Sequence, residues 1–297
     1  MKIVIYYFSG TGNTKRVVEK VRQEFLYRQV EIEIRNIEVS PKIEDISSFD
    51  KIGIAYPVHA FNAPSIVLDF ARSLPKLEQK REVFILKTSG EPLSINAISS
   101  LRLLKILRKK NYLFQSEYHY VMPYNILFRH SHNMVRHMWN VVSRRVPQEV
   151  EEILSGKKVE LKRIFLGAWI AHLFRIEHWG GRFNGKHYRV TNACTKCLAC
   201  VRNCPTQNIQ IKEGKLTFDH HCLMCMRCCF SCPNQAIKIG FFERWKVTGP
   251  YSYENSKIKE KKRNKRWCRS AYRKYFQRYG EEIQKDEAIF VKSSIKQ

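Results

Sequence analysis

The sequence predicts an α/β protein with a doubly wound parallel sheet of five strands, followed by a small α+β domain rich in cysteine and a basic helical tail. Two observations predict this class. Strand-like apolar runs alternate with helical patterns over residues 2–122, and all ten cysteines of the 297-residue chain lie between Cys194 and Cys268. Strands that alternate with helices imply right-handed crossovers and a parallel sheet that is covered on both faces.

Five short apolar runs are predicted to form the sheet, because each has the length of a strand and is separated from the next by a helical or turn pattern. In chain order they are KIVIYYF, VEIEIRNI, KIGIAY, REVFILKT and SEYHYVM, which begin at residues 2, 30, 51, 81 and 116.

Helices are predicted between the strands from apolar residues at helical spacing. The stripe of the first helix consists of Val17, Val18, Val21, Phe25 and Leu26. Pro64 suits the first turn of the next helix, with Asn62 as its cap. A closing helix is predicted over residues 134–156, where Ser155 and Gly156 give a C-cap signal.

The chain is predicted to divide near residue 160, where the closing helix is followed by a charged stretch. The expected parts are a sheet domain at 1–160, a connecting helix and loop at 161–188, a cysteine-rich domain at 189–245 and a basic tail at 246–297. Gly180, Gly181 and Gly185 are assigned to the loop. Aromatic residues interleaved through the tail favour a helix with one apolar side, and they are Trp267, Tyr272, Tyr275, Phe276 and Tyr279.

The pattern of apolar residues favours a cytoplasmic protein. The N-terminus lacks the basic start, long apolar stretch and cleavage site of a signal peptide. The apolar run Ile164–Phe174 has 11 residues, whereas a transmembrane helix needs about 20. We therefore expect a buried or interfacial helix there, with Trp169 and His172 packed within it.

An internal repeat with an offset of 28 residues lies in the cysteine-rich part. CTKCLACVRNCPTQNIQI from Cys194 matches CLMCMRCCFSCPNQAIKI from Cys222 in four cysteines, a proline, a glutamine and two isoleucines. Repetition at a fixed offset indicates two copies of one structural unit. Each copy is expected to be a cluster-binding turn followed by a short strand.

Each copy reads CxxCxxCxxxCP, the spacing with which bacterial ferredoxins hold [4Fe-4S] clusters. Three close thiolates bind one cluster and the fourth cysteine binds the other, so the ligand sets are crossed. The first cysteine set is expected to be Cys194, Cys197, Cys200 and Cys232. The second cysteine set is expected to be Cys222, Cys225, Cys228 and Cys204.

Two zinc sites are the alternative, since pairs of CxxC can also hold zinc through four thiolates. Three cysteines at this spacing, used twice, disfavour zinc. Cys229 adjoins Cys228 and offers another register, but the repeat favours Cys228. Cys229 and Cys268 are then expected to be non-ligands.

An anion site is predicted after the first strand, where SGTGNTKR opens the first helix and collects hydroxyl and unpaired backbone N–H groups. The loop lacks the third glycine of GxGxxG and the ending of a P-loop, which argues against NAD and ATP. A terminal monophosphate such as that of FMN suits it better. The candidate residues are Ser9, Gly10, Thr11, Gly12, Asn13 and Thr14.

Two further loops leave the third and fourth strands at the same edge of the sheet, and they are expected to hold the flavin ring between them. The candidate residues are Pro57, Val58, His59, Ala60, Phe61 and Asn62 in one loop, and Thr88, Ser89, Gly90 and Glu91 in the other. Ordinary strand-to-helix turns are the alternative. His59 and Phe61 are the candidates for stacking on the ring.

The loop SGTGNTKR is similar to the phosphate loop of flavodoxins, and nearly the full chain resembles the flavodoxin-ferredoxin fusion proteins of the EFR family. The resemblance implies a flavodoxin-like sheet domain and a bacterial ferredoxin-like domain. It also implies FMN binding by residues 9–14 and ligation of two [4Fe-4S] clusters by the eight repeated cysteines.

The expected function is electron transfer between the two clusters and FMN, since clusters pass single electrons and a flavin can hold two. Reduction of a substrate at the flavin stays open, with His59 and Glu91 as candidates for acid–base chemistry. A non-enzymatic carrier that docks to larger redox complexes is one alternative, and a nucleic-acid-binding iron–sulfur protein is a less favoured one.

The net charge of +26 is unevenly distributed. Residues 1–160 carry 25 basic and 17 acidic side chains, whereas residues 161–297 carry 28 and 10. An acidic redox protein, such as a ferredoxin or a flavodoxin, is therefore the expected partner. Nucleic acid is disfavoured, and contact with membrane phospholipid would be peripheral and reversible.

Three histidines, His130, His132 and His137, cluster after the fifth strand. Their spacing does not match a helical pair of metal ligands, and no carboxylate is expected to complete the set. A metal or proton-transfer role is therefore disfavoured.

Overall fold

The computed structural model describes residues 1–39, 46–162, 169, 173, 176–253, 262–263, 269–281 and 290–291. The N-terminal domain contains five strands, namely β1 (Lys2–Tyr7), β2 (Glu31–Asn36), β3 (Lys51–Pro57), β4 (Arg81–Ser89) and β5 (Tyr112–Val121). They form one parallel sheet in the order β2-β1-β3-β4-β5, which is the flavodoxin-like doubly wound order. The predicted fold class is confirmed.

Four helices cover the sheet, namely α1 (Asn13–Tyr27), α2 (Ser65–Ser73), α3 (Leu101–Arg108) and α4 (His132–Leu154). Helices α1 and α4 pack on one face, and α2 and α3 on the other. A two-residue strand, β6 (Arg129–His130), precedes α4. Strands β1 and β3 are buried almost throughout, because a central parallel strand is covered on both faces.

Two local expectations about the helices are wrong. Leu26 is 46% exposed, so the apolar stripe of α1 ends at Phe25. Helix α2 begins at Ser65 with Pro64 in the N-cap position, and Asn62 does not cap it. The Asn62 side chain instead donates a hydrogen bond of 3.0 Å to Ala60 O, within its own turn.

The cysteine-rich part consists of short elements. Its helices are α5 (Ile176–Gly185), α6 (Ala199–Arg202) and α7 (Arg227–Phe230), and its strands are β7 (Tyr188–Val190), β8 (Ile209–Lys212), β9 (Lys215–Phe218) and β10 (Ile237–Ile239). Strand β7 pairs with β10 and β8 pairs with β9, both antiparallel. The two copies of the repeat share their backbone turns, since Leu198 and Met226 have φ of 60° and 63°, and Gln207 and Gln235 have 52° and 49°.

Gly180, Gly181 and Gly185 lie within α5 and not in the loop to which the sequence assigned them. A Cβ on Gly185 would overlap the Cβ of Cys222, and one on Gly181 would lie 3.3 Å from Cys222 O. At least two of these glycines therefore allow a helix to approach the cysteine loop closely.

The described part of the tail combines one helix with two short strands, which corrects the expectation of a single amphipathic helix. Helix α8 (Arg269–Arg278) buries Tyr272 and Phe276 against the sheet domain. Two short strands, β11 (Lys262–Arg263) and β12 (Phe290–Val291), form a small antiparallel sheet with β6 in the order β11-β12-β6. The tail thus completes the N-terminal domain, although Trp267 lies outside the described residues.

Within the apolar run Ile164–Phe174, only Trp169 and Leu173 belong to the described residues, and they are 77% and 63% exposed. The expected packing of Trp169 is therefore wrong, while His172 lies outside the described residues. No helix in the described ranges combines the length and the apolar character needed to cross a membrane.

Candidate cofactor sites

The loop between β1 and α1 is organised by one of its own side chains. Ser9 Oγ accepts hydrogen bonds from the backbone N–H groups of Gly12 and Lys15, each at 3.2 Å. Gly12 stands at the N-cap of α1 with φ of 100°, a conformation that favours glycine. Ser9 and Gly12 together fix the turn that leads into the helix.

Backbone donors collect at this helix N-terminus. The N–H groups of Thr11, Asn13 and Thr14 donate to no atom of the chain as far as it is described. Unpaired N–H groups in the first turn and the positive end of the helix dipole both attract an anion. The donor set of this loop therefore suits a phosphate group.

The side chains of the loop are oriented by two segments that are distant in sequence. Thr11 Oγ1 donates to Asn125 Oδ1 and Asn13 Nδ2 donates to Pro123 O, both at 2.7 Å. Tyr253 Oη donates to Asn13 Oδ1 at 2.6 Å. The segment after β5 and the start of the tail therefore form one wall of the phosphate loop.

The three predicted loops meet at one edge of the sheet. Thr14 Oγ1 of the first loop and Thr88 Oγ1 of the third lie 2.8 Å apart, and both residues are buried. Val58 N–H of the second loop donates to Thr88 O at 2.7 Å. Because parallel strands present their carboxyl ends at the same edge, these loops border a common site.

The second loop ends in a strained turn. His59 N–H donates to Asn62 O and Asn62 N–H donates to His59 O, both at 2.9 Å. Between them, Ala60 and Phe61 have φ of 38° and 63°, in the left-handed region that costs other residues than glycine roughly 1–2 kcal/mol each. Strain of this kind clusters at ligand sites, so the tip of this loop, with Phe61, is a candidate contact for a bound ring.

An aromatic residue that the sequence analysis did not single out, Tyr124 of the segment after β5, packs against the third loop. The Tyr124 ring packs so closely on Gly90 that a Cβ at position 90 would overlap it, and Tyr124 Oη donates to the Glu91 carboxylate. The same ring stacks on His130, with centroids 5.3 Å apart and planes at 12°. Burial raises the pKa of Glu91.

Two cavities in the cysteine-rich part are each lined by four cysteines. One cavity is lined by the first cysteine set, Cys194, Cys197, Cys200 and Cys232. The other is lined by the second cysteine set, Cys204, Cys222, Cys225 and Cys228. Each cavity thus takes three cysteines from one repeat copy and the fourth from the other copy.

Corresponding cysteine sulfur atoms in the two repeat copies accept the same backbone hydrogen bonds. The hydrogen bonds run from Lys196 N–H to Cys194 Sγ at 3.4 Å, Met224 N–H to Cys222 Sγ at 3.3 Å, and from Asn208 N–H to Cys204 Sγ and Ala236 N–H to Cys232 Sγ, both at 3.2 Å. Burial raises the pKa of Cys222 to about 12, and the nearby Cys228 sulfur adds to the rise. A cysteine that is buried in this way is held as a thiolate only beside a positive charge, which a metal centre supplies.

The spacing of the sulfur atoms argues against zinc. Four thiolates around one tetrahedral zinc lie about 3.8 Å apart, as Zn–S bonds of about 2.3 Å require. Among the described residues, the one group of three possible ligands within 4.8 Å of one another is Asp219, His220 and His221, and it contains no cysteine. The four-cysteine cavities therefore suit a larger group that binds each sulfur through a separate iron.

The second cysteine set lies against the sheet domain, whereas the first reaches the surface. Leu223, between Cys222 and Cys225, packs on the core below α2 and α3, and its carbonyl is the hydrogen-bonding partner of the His59 ring. Burial lowers the pKa of His59 to about 4, so this histidine is neutral at neutral pH. Cys197 of the first set is exposed.

The remaining cysteines and histidines are placed elsewhere. Cys229 is 5% exposed, packs in the core of the cysteine-rich part and lines neither of these cavities, and Cys268 lies outside the described residues. His130 Nε2 lies 3.0 Å from Tyr272 Oη. His137 Nδ1 lies 3.0 Å from a carboxylate oxygen of Glu281, so the tail does supply the carboxylate that the local sequence lacked.

The sequence analysis missed several residues at these sites. Tyr124 and Asn125 could have been found, because they follow β5 and therefore leave the sheet at the same edge as the three loops. Tyr253 and Arg227 come from the C-terminal part and had no local signal at the phosphate loop.

The family match to known proteins lies in the N-terminal part of the chain. The family model of the flavodoxin domain matches residues 4–92. The chain is similar to oxidised flavodoxin 1 from Bacillus cereus, with 14% identity over 52% of this chain and 98% of that chain and a TM-score of 0.39. It is also similar to Fusobacterium nucleatum flavodoxin bound to flavin mononucleotide, with 18% identity over 53% and 99% and a TM-score of 0.38. No curated protein sequence matches the chain. The family match and the strand order together define a flavodoxin-like domain.

Proposed function

We propose that the protein transfers electrons between FMN, bound at the three loops of the sheet domain, and two [4Fe-4S] clusters bound by the two cysteine sets. The observation that carries this proposal is the pair of four-cysteine cavities, one of which abuts the domain that holds the phosphate loop. The combination resembles the flavodoxin-ferredoxin fusion proteins.

The FMN assignment is supported by the donor set of the phosphate loop. One phosphate-sized group of backbone donors stands at the start of α1, and a flavodoxin family model matches this part of the chain. The Fusobacterium nucleatum flavodoxin, which is bound to flavin mononucleotide, is a protein to which this domain is similar. Ser9 shapes the loop, while Asn125 and Tyr253 orient Thr11 and Asn13 beside the phosphate position.

The cluster assignment is supported by the crossed ligand sets. Each set offers four thiolates, some of which also receive backbone hydrogen bonds that favour the charged form. Clusters that are bound in this way exchange single electrons, whereas a flavin holds two, so the protein converts between one-electron and two-electron chemistry. The chain itself provides the ligation, the burial and the close contact between the two parts.

The surface at Cys197 is the proposed entry point for electrons from an acidic redox protein, a ferredoxin or a flavodoxin. Cys197 is exposed, and Lys196 and Arg202, which are close to it in the sequence, are exposed basic residues. A basic surface steers an acidic partner into encounter. Reduced thiolates suit the cytoplasm, where we propose that the protein works.

Anaerobic purification followed by assay of iron, sulfide and released flavin tests the proposed function. We expect about eight irons and eight sulfides per chain, as two [4Fe-4S] clusters require, together with one FMN. Bound zinc in place of iron would overturn the cluster assignment, and equal affinity for riboflavin and FMN would overturn the role of the phosphate loop.

A further inference from the structure

Arg227 occupies the boundary between the two proposed cofactor sites. It lies between Cys225 and Cys228 of the second cysteine set, at the first position of α7. Its guanidinium group also donates to Asn203 O at 3.2 Å, next to Cys204, which is the fourth member of the same set. One side chain is therefore attached to both stretches of chain that supply this set.

The other side of the same guanidinium group binds the phosphate loop. Arg227 Nη2 donates to Ser9 O at 2.6 Å and Nε donates to Gly10 O at 3.0 Å. A two-pronged ion pair with Glu38, which follows β2, holds the guanidinium in place. Because Ser9 Oγ orders the N–H groups of Gly12 and Lys15, the contact fixes the residue on which the phosphate loop depends.

The repeat shows that cysteine ligation alone does not require arginine here. Position 227 corresponds to Ala199 in the first copy, and α6 has the same length and a similar cap as α7 without a cationic residue at that point. Arg227 is thus a departure from the repeat, found only in the copy whose cysteine set faces the sheet domain.

We propose that Arg227 couples the two cofactor sites, so that an assembled second cysteine set strengthens phosphate binding and bound FMN protects that set. This inference rests on the proposed function. Arg227 is a positioning residue, because it acts on the phosphate through the backbone of Ser9 and Gly10. Coupling between two binding sites is reciprocal, so both directions can be measured.

The first experiment measures FMN affinity in the cluster-loaded protein by quenching of flavin fluorescence. Arg227→Ala is expected to weaken FMN binding roughly tenfold to a hundredfold, because charge-assisted hydrogen bonds to the loop are lost. Arg227→Lys keeps the charge but cannot make the forked contact, and a loss of at least about fivefold is expected. Arg244→Ala, which changes an exposed arginine of the cysteine-rich part, is the matched control and should leave the affinity unchanged.

The second experiment measures the rate at which a chelator removes iron, with and without FMN. In the wild-type protein FMN should slow the loss of the irons of the second set roughly fivefold or more, whereas in Arg227→Lys it should give little protection. Two results would overturn the coupling. One is an FMN affinity within twofold of wild type in both Arg227 variants. The other is that FMN slows iron loss in Arg227→Lys as much as in the wild-type protein. A wild-type protein that binds no FMN or holds no iron would instead overturn the proposed function itself.

Discussion

The backbone carbonyl of Cys225 faces Gly10 so closely that a Cβ on Gly10 would lie 2.5 Å from the carbonyl oxygen and 3.1 Å from Cys225 Cβ. The oxygen belongs to the backbone of a cysteine loop and the Cβ is fixed to that backbone, so neither atom can rotate away as the end of a flexible side chain can. Glycine at position 10 therefore sets how near the second cysteine set comes to the phosphate loop.

Gly10→Ala should force these two loops apart. Overpacking of this kind costs about 1–3 kcal/mol, and we expect the free energy of unfolding in urea to fall by that amount. Gly180→Ala is the control, because Gly180 lies in α5 with no atom near its Cβ position and should raise stability slightly. Equal free energies of unfolding in the two variants would show that the close contact between Gly10 and Cys225 does not affect stability.

Cys204→Ser should damage the cluster of the second cysteine set, although Cys204 belongs to the first repeat copy. We expect iron to fall from about eight to about four per chain, with the remaining signal in electron paramagnetic resonance arising from the first set. Cys229→Ser is the matched control and should keep all the iron, since Cys229 lines neither of the two cavities. Loss of the first cluster instead would refute the crossed arrangement.

Thr11→Asp should abolish FMN binding through repulsion between the new carboxylate and the phosphate. Thr11→Ser keeps the hydroxyl that donates to Asn125 and should bind FMN normally. The measurement is a fluorescence titration with FMN and with riboflavin in parallel. Riboflavin has no phosphate, so a variant that loses both ligands equally would point to misfolding and not to repulsion.

Tyr188→Phe should lower the reduction potential of the second cluster. Tyr188 is 5% exposed and lines that cavity together with Cys222, and its hydroxyl has no hydrogen-bond partner among the described residues. The hydroxyl is therefore free to donate to a sulfur of the proposed cluster and to stabilise its negative charge. Its removal should shift the potential by roughly 20–60 mV in a spectroelectrochemical titration, while phenylalanine preserves the ring packing on Phe218. An unchanged potential would show that the hydroxyl does not interact with the cluster.

Lys196→Glu should slow reduction by an acidic ferredoxin about threefold to tenfold at low salt, because it reverses a charge beside the exposed Cys197. Stopped-flow traces across a salt series measure the reduction rate, with Lys80→Glu at the opposite edge of the sheet domain as control. These substitutions are a better test than deletion of the chain from Lys257 onward, because the deletion would remove Tyr272 and Phe276 from the core. Rates that change neither with salt nor with Lys196→Glu would exclude an acidic donor at this surface.

Three strands, β1, β3 and β4, were predictable from their apolar runs, and β2 from its alternation of apolar and polar residues. The start of β5 was not predictable. Strand β5 begins at Tyr112, and it buries Gln115, Ser116 and Glu117, which look exposed in sequence. Glu117 is tolerated there because the ammonium group of Lys87, also fully buried, lies 2.8 Å from it. Buried polar residues whose partners lie on another strand do not produce a periodic apolar pattern. The sequence therefore predicts only the apolar part of such a strand.

The candidate loops were predictable from their position after strands, but the contacts that organise them were not. Asn13 is held by Tyr253, and the two residues are separated by 240 positions. Gly181 and Gly185 looked like loop residues because glycine breaks helices, yet here the missing side chains admit the Cys222 loop. Both cases depend on the packing of distant segments, which no local pattern contains.

The pairing of β6 with β12 affects the order in which parts of the protein fold during synthesis. Domains generally fold from the N-terminus as the ribosome releases them. Phe290 pairs with His130, and Tyr272 Oη donates to Gly90 O in the third loop. The sheet can therefore form early in synthesis, but the edge that carries its loops is completed only after residue 291 has emerged. We therefore expect insertion of the proposed flavin to be a late step of biogenesis.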